Sequence, residues 1–141
     1  FNIVVKPYKP KVQKVAIPVK EDAGLKSNLI DHFGRAKYFI LVTLEENTVK
    51  SYHVKENPHI GRKSRAGLLL AHDLIDQEVD VLITRQIGEI SFHTLRDNLV
   101  EVYLTDKSTV KEAIEEFIQG KLKRLERPTR KIGEELFHRE K

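Results

Sequence analysis

Val79-Asp80-Val81-Leu82-Ile83-Thr84, then Ile87 to Asn98, then Val100 to Leu104, is the stretch that decides the fold. The first run is short and nearly continuously apolar, the pattern of a strand buried on both faces. In the second, Ile87, Ile90, Phe92, Leu95 and Leu99 recur at helical spacing. The third reads as another strand. Strand, helix and strand in this order require a parallel pair joined by a right-handed crossover.

Working outward, Ala66 to Gln77 places Leu70, Ala71, Leu74 and Ile75 at helical spacing, with Leu68 and Leu69 one turn earlier. Thr109-Val110-Lys111-Glu112 has capping-box spacing. The helix behind it buries Val110, Ala113, Ile114, Phe117 and Ile118, and Gly120 suits the C′ position. Upstream, Val15 to Val19 is a short strand. Tyr38 to Leu44 and Thr48 to Lys55 form a hairpin about Glu45-Glu46-Asn47, its second strand polar on one face as at a sheet edge. The expectation is an α/β domain, a mixed sheet of five strands covered by helices.

Composition narrows the function. With 141 residues and 40% hydrophobic residues, the chain can bury one core. No Cys means no disulfide, no thiolate metal site and no cysteine nucleophile. The longest apolar runs, Tyr38 to Val42 and Gly67 to Ala71, are too short to span a bilayer. The net charge of +4 resides in Lys121 to Lys141, because the rest of the chain is balanced. No basic face of the body follows, so no nucleic-acid partner is expected. The chain opens at Phe1 and lacks Met, which leads us to expect a piece of a longer protein.

Three segments carry candidate chemistry. In His32-Phe33-Gly34-Arg35-Ala36, Gly34 permits a positive φ and a close backbone approach. Arg35 offers a planar donor fork for an anion, and His32 is a candidate metal ligand. Gly61-Arg62-Lys63-Ser64-Arg65-Ala66-Gly67 opens a helix with three cations, where orphan N–H groups attract anions. It is not a P-loop, because the Gly-Lys-Ser/Thr ending is missing. Thr84-Arg85-Gln86-Ile87-Gly88 follows a buried strand, the end at which ligands of open α/β sheets gather. The candidate anion site is therefore Gly34, Arg35, Arg62, Lys63, Ser64, Arg65, Arg85 and Gly88. No hydrolase elbow is present, Ser27, Ser51, Ser64 and Ser91 show no local activation, and Asp80 is the one strand carboxylate available to a metal nuclease.

These residues also carry a resemblance. Val15-Ala16-Ile17-Pro18-Val19, Ser27, His32 to Ala36, Tyr38-Phe39, Glu56-Asn57-Pro58, Ala66-Gly67, Asp80 to Thr84, Ile87-Gly88, Thr109-Val110 and Glu112-Ala113-Ile114 fall in the order of one domain. The chain resembles the dinitrogenase iron–molybdenum cofactor biosynthesis family, of the NifX and NifB C-terminal type, over Val15 to Leu122. The resemblance implies a ribonuclease H-like three-layer α/β/α fold with a five-stranded mixed sheet. It implies binding of iron–sulfur or iron–molybdenum precursors, with His32 the matched ligand. The basic Gly61 to Gly67 departs from the family's Gly-rich stretch, and no Cys is available for a cluster.

Phe1 to Val5 with its Pro-containing linker is similar to the end of a cation diffusion facilitator's cytoplasmic domain. The expected organisation is thus an upstream strand and linker over 1–14, the cofactor-type domain over 15–122 and a charged tail over 123–141. The expected role is a non-enzymatic, cytoplasmic, regulatory appendage of a cation-efflux transporter, partnered by the rest of its own chain and binding a small anionic or metal-containing ligand. The alternative is a free-standing carrier of a metal cofactor or iron–sulfur precursor.

Overall fold

The structure, a computed structural model, describes residues 12–61 and 65–129. Six strands and three α-helices run in the order β1 (Val12–Val19), β2 (Tyr38–Glu45), β3 (Thr48–Glu56), α1 (Ala66–Asp76), β4 (Val81–Thr84), α2 (Glu89–Asp97), β5 (Glu101–Leu104), α3 (Val110–Ile118) and β6 (Lys123–Arg124). They form one mixed sheet in the spatial order β3-β2-β1-β4-β5-β6. β1, β4 and β5 are mutually parallel, as the two crossovers require, while β2, β3 and β6 run against their neighbours.

The period-two alternation of each strand divides the core into two layers. Ala16, Phe39, Leu41, Leu82 and Val102 face Leu70, Leu74, Phe92 and Leu95 of α1 and α2. Val15, Ile17, Ile40, Val42, Val81 and Ile83 face Val110, Ala113 and Ile114 of α3. Helices therefore cover both faces. The β2–β3 hairpin closes through Glu46 and Asn47 at φ 51° and 65°, the two positive values a tight primed turn needs. A bulge at Lys50 follows, since Thr43 pairs with Ser51 and Leu44 with Val49. A bulge and a lysine on the outermost strand both discourage further strand pairing.

The sheet has six strands, not five. The sixth, Lys123–Arg124, is two exposed residues pairing with Tyr103 and Leu104, and shows no apolar alternation. It shifts a domain boundary: the folded body continues past 122, with Leu125 buried and its N–H donating to Val102 O at 2.8 Å. At the other end, Val12 to Lys14 belong to β1, not to a linker ending at 14. Lys14 N–H donates to Asp80 Oδ2 at 2.8 Å. Asp80 thus stands at the amino end of β4, bonded to backbone. The expected Phe1 to Val5 strand and the tail from 130 lie outside the described residues.

All three helices end alike. The C′ residues Glu78, Leu99 and Gly120 have φ of 59°, 64° and 73°. Each N–H bonds three residues back, and the next N–H reaches five back, the paired bonds of a Schellman motif. Only α3 uses glycine there. Leu99 is 89% exposed, so its side chain contributes no packing. Left-handed strain of about 1–2 kcal/mol outweighs the extra chain entropy of glycine, about 0.5–1 kcal/mol. Leu99→Gly is therefore expected to stabilise the protein by about 0.5–1 kcal/mol, read as a rise of a few degrees in Tm. A fall in Tm would show that the exposed leucine makes contacts of its own.

Candidate functional site

The topology gathers the long connections at one edge. Val19 pairs with Tyr38, and Tyr38 with Glu56, so the end of β1, the start of β2 and the end of β3 are level. The carboxyl ends of the parallel β4 and β5 lie on the same side. Residues 20–37, 57–61, 65, 85–88 and 105–109 therefore share the edge where open α/β sheets bind ligands.

The centre of that edge is a backbone contact. Phe33–Arg35 forms one turn of 3-10 helix with Phe33 buried beneath it. A methyl group at Gly34 would stand 2.9 Å from Gly67 Cα and 3.0 Å from Gly67 N, in the first turn of α1. Gly34 is not in the left-handed region; its freedom is used for close approach alone. A methyl at Gly67 would in turn stand 2.6 Å from Ser91 Oγ of α2. Phe33 N–H donates to Gln86 O at 3.2 Å, fixing the turn to the β4–α2 connection.

Asn57 ties in the fourth piece. It is 2% exposed, and its Nδ2 donates to Ala36 O at 2.8 Å. Its Oδ1 accepts the His59 N–H at 3.0 Å, and its own N–H donates to Lys37 O at 2.9 Å. His59 Nε2 then meets Asp73 Oδ2 of α1 at 2.8 Å. The loop leading to the basic segment is thus held to both the 3-10 turn and α1.

Arg35 is exposed, one residue from the Gly34–Gly67 contact. Arg65 is exposed, two residues from it, at φ 62° on the N-cap of α1. Among the described residues no side chain caps α1, and no acid stands in its first turn. Arg62, Lys63 and Ser64 lie outside the described residues. Gly88 is the N-cap of α2, and the preceding Ile87 N–H donates to Thr129 Oγ1 at 2.8 Å. Arg85 is engaged elsewhere. Its Nε donates to Asp31 Oδ1 at 3.0 Å, and its Nη1 to the carbonyls of Asp106 and Lys107 at 2.9 and 2.8 Å. It clasps the connections following β1 and β5. A cleft of about 200 Å³ beside it is lined by Lys20, Asn28, Leu29, Asp31 and Ser108, away from Gly34 and Gly67.

His32 is half-buried on the N-cap of the 3-10 turn. Among the described residues no three His, Asp or Glu side chains come together as a metal set. With no cysteine in the chain, direct ligation of a metal cluster by a protein cage does not fit these residues. What they offer is positive charge and hydrogen-bond donors. Sequence reasoning missed Ser91 and the His59–Asp73 pair. A glycine in the first turn of a helix was the available sign that another backbone, or another side chain, lies against it.

A family model described as dinitrogenase iron-molybdenum cofactor matches residues 13–120. The chain belongs to that family. Among its relatives is an uncharacterised protein, MJ0580, of Methanocaldococcus jannaschii. It is 26% identical over 118 residues, covering 84% of this chain and 96% of the relative. A Thermotoga protein with a provisional NifB name is 33% identical, with a TM-score of 0.68 over 84% of this chain and 97% of its own. The apo orange protein of Desulfovibrio gigas is 25% identical, with a TM-score of 0.75 over 84% of this chain and 97% of its own.

Proposed function

We propose that the chain binds, without catalysing a reaction, a small anionic, metal-containing ligand of the iron–molybdenum cofactor type. The site is the carboxyl edge of the sheet, in a fold we read as ribonuclease H-like. The observation that supports this is the Gly34–Gly67 approach, which brings the backbone beside Arg35 against the first turn of α1, whose N-cap is Arg65. Guanidinium groups and orphan N–H groups together hold an anion whose metals already carry their own ligands. His32, in the same turn, supplies one imidazole to it. Arg85 contributes by holding the surrounding connections in place. The family match supports the cargo class. The relatives are matched over 96–97% of their own length, which favours a carrier over an appendage of an efflux transporter.

The test is a titration with tetrathiomolybdate, a molybdenum–sulfur dianion, followed through its visible bands. Arg35→Ala/Arg65→Ala is expected to weaken binding at least tenfold, since hydrogen bonds to charged groups contribute about 1.5–3 kcal/mol each. His32→Ala is expected to shift the bands of the bound form. Equal affinity in the double variant, or no binding by the wild type, would overturn the reading.

A further inference from the structure

Ser91 has no hydrogen-bond partner among the described residues, although it is only 7% exposed. No side-chain N or O atom among the described residues is both sealed from solvent and unpartnered, so the Ser91 hydroxyl still opens to solvent. It is the atom that a methyl on Gly67 would strike at 2.6 Å, so it lies against the first turn of α1.

That turn has donors of its own without an acceptor among the described residues. α1 is 11 residues long, with no side-chain cap and no acid in its first turn, so the N–H groups of Ala66, Gly67 and Leu68 lack intrahelical acceptors. Ser91 sits in the first turn of α2, whose N-cap is Gly88. The nearest carboxylate in sequence, Glu89, stands 3.9 Å from His93 Nε2. Exposed Arg35 and Arg65 flank the contact in sequence. The place therefore combines a fan of N–H donors, one hydroxyl donor and two cations.

We infer that Ser91 Oγ and the first-turn amides of α1 form a subsite for a tetrahedral oxyanion of the molybdate, sulfate and phosphate class. Oxygen suits the Ser91 hydroxyl better than sulfur does, because that hydroxyl donates a hydrogen bond and sulfur accepts such bonds weakly. The inference rests on the proposed function for the location of the site, and goes beyond it in naming the oxyanion and the hydroxyl that selects it.

The test is calorimetric titration of the full chain with molybdate, sulfate and phosphate at low ionic strength, with amide chemical shifts recorded alongside. Saturable binding of one anion per chain is expected, with the largest shifts at Ala66, Gly67, Leu68 and Ser91. Ser91→Ala is expected to weaken it at least fivefold while leaving tetrathiomolybdate affinity within twofold. The wild-type shift map keeps the inference exposed even if the variant misfolds. Shifts centred on Lys121 and Lys123, or no saturation at 10 mM anion, would overturn it. If tetrathiomolybdate binds through Arg35 and no oxyanion does, this inference falls and the cofactor reading stands. If oxyanions bind at Ala66 to Leu68 and tetrathiomolybdate does not, the reverse holds.

Discussion

Gly34→Ala is expected to destabilise the protein by about 2–3 kcal/mol, lowering Tm by about 10 °C. The added methyl would stand 2.9 and 3.0 Å from backbone atoms of Gly67. Neither partner can rotate away, as a side chain would. The 3-10 turn or the start of α1 must retreat instead. Retreat of α1 would loosen Leu70 and Ala71, both fully buried against the sheet. Gly67→Ala makes a useful contrast, because its methyl meets the end of a serine side chain at 2.6 Å. A hydroxyl can turn aside, so about 1 kcal/mol is expected there. Thermal and chemical denaturation of the two variants would check the ordering. Equal, small effects would mean that the two backbones do not meet.

Asn57→Ala is expected to cost about 3 kcal/mol and to abolish tetrathiomolybdate binding at concentrations that saturate the wild type. Truncation strands the buried Ala36 O and the part-buried His59 N–H. Each unsatisfied group costs about 1–3 kcal/mol. Both belong to segments that set the cationic edge, so its geometry loosens along with its stability. Asn57→Asp separates the two roles. It keeps an acceptor for His59, loses the donor to Ala36, and places a carboxylate where the native residue is 2% exposed. Burial and the facing carbonyl would raise its pKa, so its penalty is largest at neutral pH and is relieved as pH falls through that raised value. Denaturant midpoints of Asn57→Asp at pH 7 and pH 5 would show this. A penalty that grows on acidification would contradict it.

Much of the fold was legible because its elements are locally consistent. The apolar run of Tyr38 to Leu44, the helical spacing of Ala66 to Gln77 and the punctuation by Thr109 and Gly120 all agree with their tertiary settings. Thr109 Oγ1 accepts the Glu112 N–H at 3.3 Å, and Gly120 adopts the left-handed φ expected of it. β6 was illegible because Lys123-Arg124 has no side-chain pattern, and only the open edge of β5 makes a strand of it. The site divided in the same way. Its segments were identifiable, and the topology brings them to one edge. The partners of Arg85 were not, since Asp31 is 54 residues away in sequence. Nor could Gly34 be told apart as a close-approach glycine, because a sequence does not distinguish that use from a positive φ.

The segment from Lys123 to Thr129 has a mechanical consequence. β6 is two residues long and joins only β5. Beyond it the segment is held at two separate points: at Leu125, whose N–H donates to Val102 O and whose carbonyl accepts from Arg96 Nη1, and at Thr129, bonded to Ile87. Under tension applied at the carboxyl end, these links carry load one after another, like a strip peeled from tape. β1, lodged between β2 and β4, carries load along its whole length at once. Stretching a single molecule should therefore release the last segment at low force, well before the sheet yields. Release of Thr129, the first of these points, frees the Ile87 N–H beside Gly88, so the pull is felt at the edge of the site before Leu125 leaves the core.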